Sequence, residues 1–189
     1  MEMITPNVYT ETKIRGCNPS IVFTSEGSVF IDTAQWLSTL LEMREFAKKR
    51  GPIRYLINTE AHIDHIFGNH WFAGESLVVG HENLKNIFWT VADDKPCYEY
   101  SVDVLERQDP AALPLMPSKE DYIVNYPQIT YSDRMTLKWA TRISSCITLR
   151  DILTPSPASM CRRSGLLLWV IPSFPAARPG CIPPTLTLC

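Results

Sequence analysis

Hydrophobic and polar positions follow two different periods along the first 139 residues, and the switches between them lay out the elements. Residues 8–12, 21–24 and 28–32 are short runs rich in β-branched and aromatic side chains and read as strands, with Glu26-Gly27 as the turn between the last two. Residues 35–50 change to helical spacing. Trp36, Leu37, Leu40, Leu41 and Phe46 form an apolar stripe opposed by Glu42, Glu45, Lys48 and Lys49, and Gly51-Pro52 ends the helix. Residues 53–58 are the next strand, followed by a polar loop and a short helix near 67–72, then a strand at 77–80. A second helix is predicted from His81 to about Asp93, with Leu84, Ile87, Phe88 and Val91 facing inward. Residues 95–118, with Pro96, Pro110, Pro114 and Pro117, read as loop-rich, and residues 129–139 as strand, turn, strand. Strands interleaved with helices imply an α/β layered fold.

Composition divides the chain at Trp139. Residues 1–139 carry 13 Lys+Arg and 19 Asp+Glu, a net of −6, and residues 140–189 carry five Arg and one Asp, a net of +4. The last 50 residues lack Lys, Glu, His, Asn, Gln and Tyr, yet hold seven of the 15 prolines and four of the six cysteines. Disordered tails are rich in Glu, Lys, Gln and Ser, whereas this one contains Leu-Leu-Leu-Trp-Val-Ile, so it resembles neither a linker nor a folded surface. The division is therefore 1–139 as a recognisable domain portion and 140–189 as an aberrant tail.

The whole chain, at 189 residues and net charge −2, suits one domain and makes no case for nucleic acid or an anionic membrane as partner. No basic stretch followed by an apolar run opens it, and the longest apolar run, residues 166–171, is too short to span a bilayer. A cytoplasmic protein is expected. The six cysteines show no C-x-x-C pair, and free thiols are expected rather than disulfides.

The chemistry concentrates in residues 59–70, Thr-Glu-Ala-His-Ile-Asp-His-Ile-Phe-Gly-Asn-His. Glu60, His62, Asp64 and His65 place four metal-binding side chains directly after a buried strand, a natural cradle for a hydrolytic divalent metal. In an extended segment residues 60 and 62 share a face; the chain must then turn to present Asp64 and His65, and Gly68 permits a close backbone approach. Asp64 is the candidate catalytic residue, able to ligate metal and to orient a metal-activated hydroxide. Asp32 either buttresses this loop or simply ends a strand. His70 and Trp71 are candidate pocket-rim positions, and His81 is expected to cap the second helix.

This segment resembles the metallo-β-lactamase superfamily signature, His-x-His-x-Asp-His, with Glu60 in place of the first His. Residues 18–33 (Asn-Pro-Ser-Ile-Val-Phe-Thr-Ser-Glu-Gly-Ser-Val-Phe-Ile-Asp-Thr) are similar to the family's opening hairpin, and Val78-Val-Gly-His-Glu-Asn83 to its next strand and helix start. The resemblance covers roughly residues 5–139. It implies an αβ/βα sandwich with two divalent metals, zinc first, at one edge. Glu60 and His62 would serve the first metal, and Asp64 and His65 the second. It also implies hydrolysis of a small-molecule ester, lactone, amide or thioester by metal-bound hydroxide. Glu60 is a harder ligand than imidazole and could shift preference toward iron or manganese, so an iron-dependent oxidoreductase on the same fold is one alternative.

The family pattern then requires a Gly-His-Thr turn, a bridging Asp and a final His. No His follows His81, and Asp151 lies in an unrelated context. A frameshift after Trp139 accounts for both the odd composition and the missing ligands. Synonymous codons for residues 140–189, read in the neighbouring frame, allow a Gly-His-Thr turn and a Gly-Asp element in family order. Activity of the chain is therefore expected to be impaired, with a non-catalytic remnant binding one metal weakly as the other alternative.

Overall fold

The computed structural model describes residues 1–84 and 98–139, together with three short strands at 145–150, 166–168 and 186–188. Its centre is a seven-stranded mixed sheet in the order β1-β2-β3-β4-β5-β6-β7. The strands are β1 (Glu2–Thr5), β2 (Val8–Thr10), β3 (Ser20–Thr24), β4 (Gly27–Ile31), β5 (Ile53–Ile57), β6 (Leu77–His81) and β7 (Ile129–Tyr131). β1 to β4 pair antiparallel, whereas β4, β5, β6 and β7 run parallel.

Both faces of the sheet are apolar, and successive residues divide between them, as a period of two requires. Ile21, Phe30, Leu56 and Val78 join one core, under helix α1 (Leu37–Lys48), and Val22, Val29, Ile31, Ile57 and Val79 join the other. Met135 and Leu137 of β8 (Arg134–Trp139) pack against the second core. α1 turns Leu37, Leu40, Met43 and Ala47 to the sheet. Its first turn lacks a cap from its own side chains; instead the Ser38 N–H donates to Asp109 Oδ2 at 2.8 Å. A carboxylate at this end satisfies an otherwise orphaned donor and faces the positive end of the helix dipole.

One reading of the sequence needs correction, and one strand was unannounced. β1 was not expected: all four of its residues are exposed, so no alternation announced it. Within the supposed loop at 95–118, helix α3 (Tyr98–Gln108) forms, burying Ser101, Val104 and Leu105. Pro110, Pro114 and Pro117 lie beyond its end and Pro96 before its start, so none of the four breaks it. The strand, turn and strand read at 129–139 form: β7 extends the main sheet beside β6, and β8 pairs with β9 (Ser145–Arg150). β9 lies inside the tail segment. The second helix predicted at 81–93 begins at Asn83-Leu84, and the rest of it falls outside the described residues.

Candidate metal centre

The parallel strands β4 and β5 end side by side, and the candidate residues lie just beyond their carboxyl ends, where open α/β sheets place ligands. Asp32 follows β4 with φ +57°, a left-handed conformation that Asp and Asn adopt more readily than other side chains. This turn presents its carboxylate to the loop after β5. Asp32 Oδ1 accepts the Thr59 N–H at 2.8 Å, and Oδ2 accepts the Thr59 hydroxyl at 2.6 Å. Oδ2 also lies 2.9 Å from His65 Nδ1.

His65 sits on α2 (Ile63–Ile66), a single turn that passes into a 3₁₀ segment, Phe67–Phe72. The turn is held by buried polar groups from three directions. The His65 carbonyl accepts from Thr33 N at 3.0 Å, Thr33 Oγ1 at 3.0 Å and Asn58 Nδ2 at 3.1 Å. Thr33 Oγ1 in turn accepts the Gly68 N–H at 2.9 Å. A Cβ on Gly68 would lie 2.3 Å from Leu40 Cδ2 and 2.7 Å from Thr33 Cβ, so only glycine lets the backbone pass here. Asn58 and Asn69 bond reciprocally at 3.1 and 2.8 Å, and Asn69 Nδ2 donates to the Asn125 carbonyl at 3.0 Å. Such fully satisfied buried networks fix one geometry.

The four motif side chains are not equivalent. Glu60 bridges two histidines, with Oε1 2.8 Å from His65 Nε2 and Oε2 2.5 Å from His62 Nδ1. Asp64 Oδ2 lies 3.7 Å from His65 Nε2. Glu60, Asp64 and His65 are largely sheltered, whereas the His62 side chain is 62% exposed and meets the cluster through Glu60 and a tilted ring contact with His65 at 6.4 Å. Among the described residues, the three-residue group whose donor atoms all lie within 4.8 Å of one another is Cys17, Asp64 and His65. Cys17 is buried, with Sγ 2.9 Å from the Asp64 carbonyl and 3.5 Å from that of Thr33. Neighbouring Gly16, at φ +111°, passes so close that a Cβ there would stand 3.0 Å from Asp64 Oδ2.

Cys17, Thr33, Asn58, Thr59 and Asn125 are the contributors that sequence reasoning missed. Asn58-Thr59, two polar residues directly abutting an apolar strand, was the available signal; Cys17 stands 47 positions from Asp64 and carries none. His70 stacks on Tyr122 at 5.2 Å, and its Nδ1 accepts the Ile123 N–H at 2.9 Å. Trp71 packs edge-on against Phe67 at 5.2 Å. His81 Nε2 donates to the Ser132 carbonyl at 2.9 Å while Nδ1 accepts the Asn83 N–H at 3.2 Å, which ties the end of β6 to the following helix start.

These contacts set the electrostatics. Burial opposes charge on His65, but the charge and hydrogen bond of Asp32, then the hydrogen bond and charge of Glu60, push its pKa up to about 10. Burial likewise opposes charge on Glu60, yet the His65 hydrogen bond and charge, followed by those of His62, hold it below the usual carboxylate range. Burial raises the Cys17 thiol, and the charges of Asp32, Asp64 and Glu60 raise it further.

The donor set fits a divalent cation. Sulfur, carboxylate and imidazole converge, a carboxylate holds Nδ1 of the histidine so that Nε2 faces the cluster, and the Gly16 backbone leaves room that a side chain would fill. Opposite pH trends follow. The folded His65 pKa lies above its ordinary value of 6.5. Without metal, its stabilising contribution is therefore complete below about pH 6.5 and lost as pH rises to about 10. A cation must displace the Nε2 proton, so metal affinity rises over the same interval. Urea unfolding with chelator at pH 6 and pH 9, beside metal titrations at both, is expected to show the metal-free chain weaker and the metal tighter at the higher pH.

A family model described as Metallo-beta-lactamase superfamily matches residues 13–158, a span that continues past Trp139. Among solved structures, the chain is similar to BJP-1, a subclass B3 metallo-β-lactamase of Bradyrhizobium japonicum, at 19% identity and TM-score 0.51. That match covers 86% of this chain and 53% of that one. It is also similar to a metallo-β-lactamase from Pontibacter korlensis, at 16% identity and TM-score 0.46, covering 78% of this chain and 58% of that one. The chain thus spans little more than half the length of these two structures. No curated protein matches it.

Proposed function

Because the chain belongs to the metallo-β-lactamase superfamily, we propose that it derives from a metal-dependent hydrolase acting in the cytoplasm on a small-molecule ester, lactone, amide or thioester. The observation that supports this reading most is the orientation of His65: a buried Asp32 carboxylate holds Nδ1, and Nε2 faces Glu60 and Asp64. Glu60, His62, Asp64 and His65 would hold the metal. A divalent metal bound there supplies a Lewis acid and lowers the pKa of water.

The chain's own groups have separable roles. Asp32 fixes the histidine and takes no direct part. Thr59 locks Asp32 through its backbone N–H and its hydroxyl. Glu60 holds the ring of His62 through Nδ1 at 2.5 Å. Asp64 is the group positioned to orient the attacking water and hold its proton.

Turnover by these 189 residues is impaired in this reading, since residues 140–189 contain no histidine and one acid. We read that segment as out of frame with the ancestral gene. The test is to sequence the coding DNA past codon 139, restore the single base that reopens the Gly-His-Thr frame, and assay both chains on an ester, lactone and thioester panel. Chelator-sensitive hydrolysis at least ~10–100-fold faster in the restored chain is expected. A downstream sequence with no such frame refutes the out-of-frame reading. A restored chain that binds metal but hydrolyses nothing favours the non-catalytic alternative. Stoichiometric iron in place of zinc favours the oxidoreductase, for which the carboxylate at Glu60 is the one supporting feature.

A further inference from the structure

We propose that Cys17 is a metal ligand, and that its sulfur, an Asp64 carboxylate oxygen and a His65 imidazole nitrogen together bind one thiophilic divalent cation of the zinc class. This rests on reading the turn as a metal centre but changes which residues close it. The motif pairs Glu60 with His62 and Asp64 with His65. The structure instead gathers Cys17 with Asp64 and His65, with all three donor atoms within 4.8 Å of one another. A tetrahedral zinc with Zn–S near 2.3 Å and Zn–N or Zn–O near 2.0 Å needs donor separations of roughly 3.3–3.5 Å, so side-chain adjustment of about an ångström closes the site.

Several features place the sulfur there. Gly16, in a left-handed conformation at φ +111°, packs so near Asp64 that a Cβ would stand 3.0 Å from Oδ2, and the adjacent Cys17 Sγ lies 2.9 Å from the Asp64 carbonyl. Cys17 is 8% exposed, so it is screened from bulk water beside groups that carry negative charge. Asp32, Glu60 and Asp64 surround one imidazole beside the sulfur, a carboxylate-rich setting that favours a cation. Thiolate ligation would select zinc, cobalt(II) or cadmium over magnesium or manganese. It would also supply a third ligand from the N-terminal portion, where the chain lacks the downstream histidines of its family.

The competing role is a plain tie, in which the thiol donates to the Asp64 carbonyl at 2.9 Å. A serine preserves that donor while losing the soft ligand. Cobalt(II) is therefore titrated into the metal-free full chain and into Cys17→Ser, and absorption is recorded. The parent is expected to develop a near-ultraviolet thiolate-to-cobalt band that saturates at one cobalt per chain. In C17S the band is lost, visible cobalt bands remain, and zinc affinity falls at least ~10–100-fold. Cobalt binding without the thiolate band, or an equally strong band in C17S, removes Cys17 from the centre while leaving the turn as a metal site. No cobalt binding at all overturns both readings. Should C17S fail to fold, X-ray absorption on the parent loaded with one zinc decides: a Zn–S distance near ~2.3 Å supports the assignment, and a shell of only N and O refutes it.

Discussion

Replacement of His65 by alanine is expected to destabilise the chain by about 3–5 kcal/mol and to abolish metal binding. His65 is the largely buried cation of a carboxylate cluster, within 2.9 Å of Asp32 and 2.8 Å of Glu60, with Asp64 at 3.7 Å. Removing it leaves three carboxylates facing one another without the group that neutralises them. Breaking a buried ion pair from one side costs far more than the pair itself contributes, because the remaining charge loses both partner and solvent. The His65 carbonyl and its three donors would survive the substitution, so the loss is attributable to the ring. Urea unfolding in chelator reads the stability, and a zinc titration reads the binding. A loss under about 1 kcal/mol would place the cluster in effectively open solvent, where ion pairs contribute little.

Asp32→Asn is expected to lower metal affinity by ~10–100-fold while leaving the fold close to intact. Asn tolerates the left-handed backbone at this position, observed at φ +57°, and its amide oxygen can still accept the Thr59 N–H. The amide nitrogen then replaces the acceptor now 2.9 Å from His65 Nδ1. That reversal favours the tautomer with its proton on Nε2, which occupies the lone pair a metal needs. The variant thus separates orientation of the histidine from folding. Competition titration of zinc against a chromophoric chelator, with thermal unfolding as control, checks it. Affinity within threefold of the parent would mean that Asp32 only ends its strand.

The fold was legible where burial imposed a period. Strands β3 to β6 emerged because apolar residues fill both faces of the sheet, as with Phe30 in one core and Val29 and Ile31 in the other, and helix α1 because it keeps a single stripe for the core. β1 has no buried residue to mark it, and α3 was hidden by prolines that lie outside it. The site was legible in the same limited sense. Glu60, His62, Asp64 and His65 share one segment, so local spacing grouped them. Local spacing did not show that the ring of His62 stands 62% exposed, where a β-like alternation from 60 to 62 gives way to a bend before α2. It had no access to Cys17 or Asn125, which reach the turn through tertiary packing across 47 and 56 positions. Asp32 was left between two roles because a strand's last residue and a histidine's anchor look alike until the left-handed turn after β4 is seen.

The most direct test is the metal content of the purified full chain after equilibration with zinc and removal of the excess, determined by mass spectrometry of the elements beside a chelator-competition titration. About one zinc per chain, retained against dilution and absent from His65→Ala, is expected. A parent chain that carries no zinc above the buffer blank would contradict it, and would leave Glu60, Asp64 and His65 as an internal ion cluster that stabilises a turn.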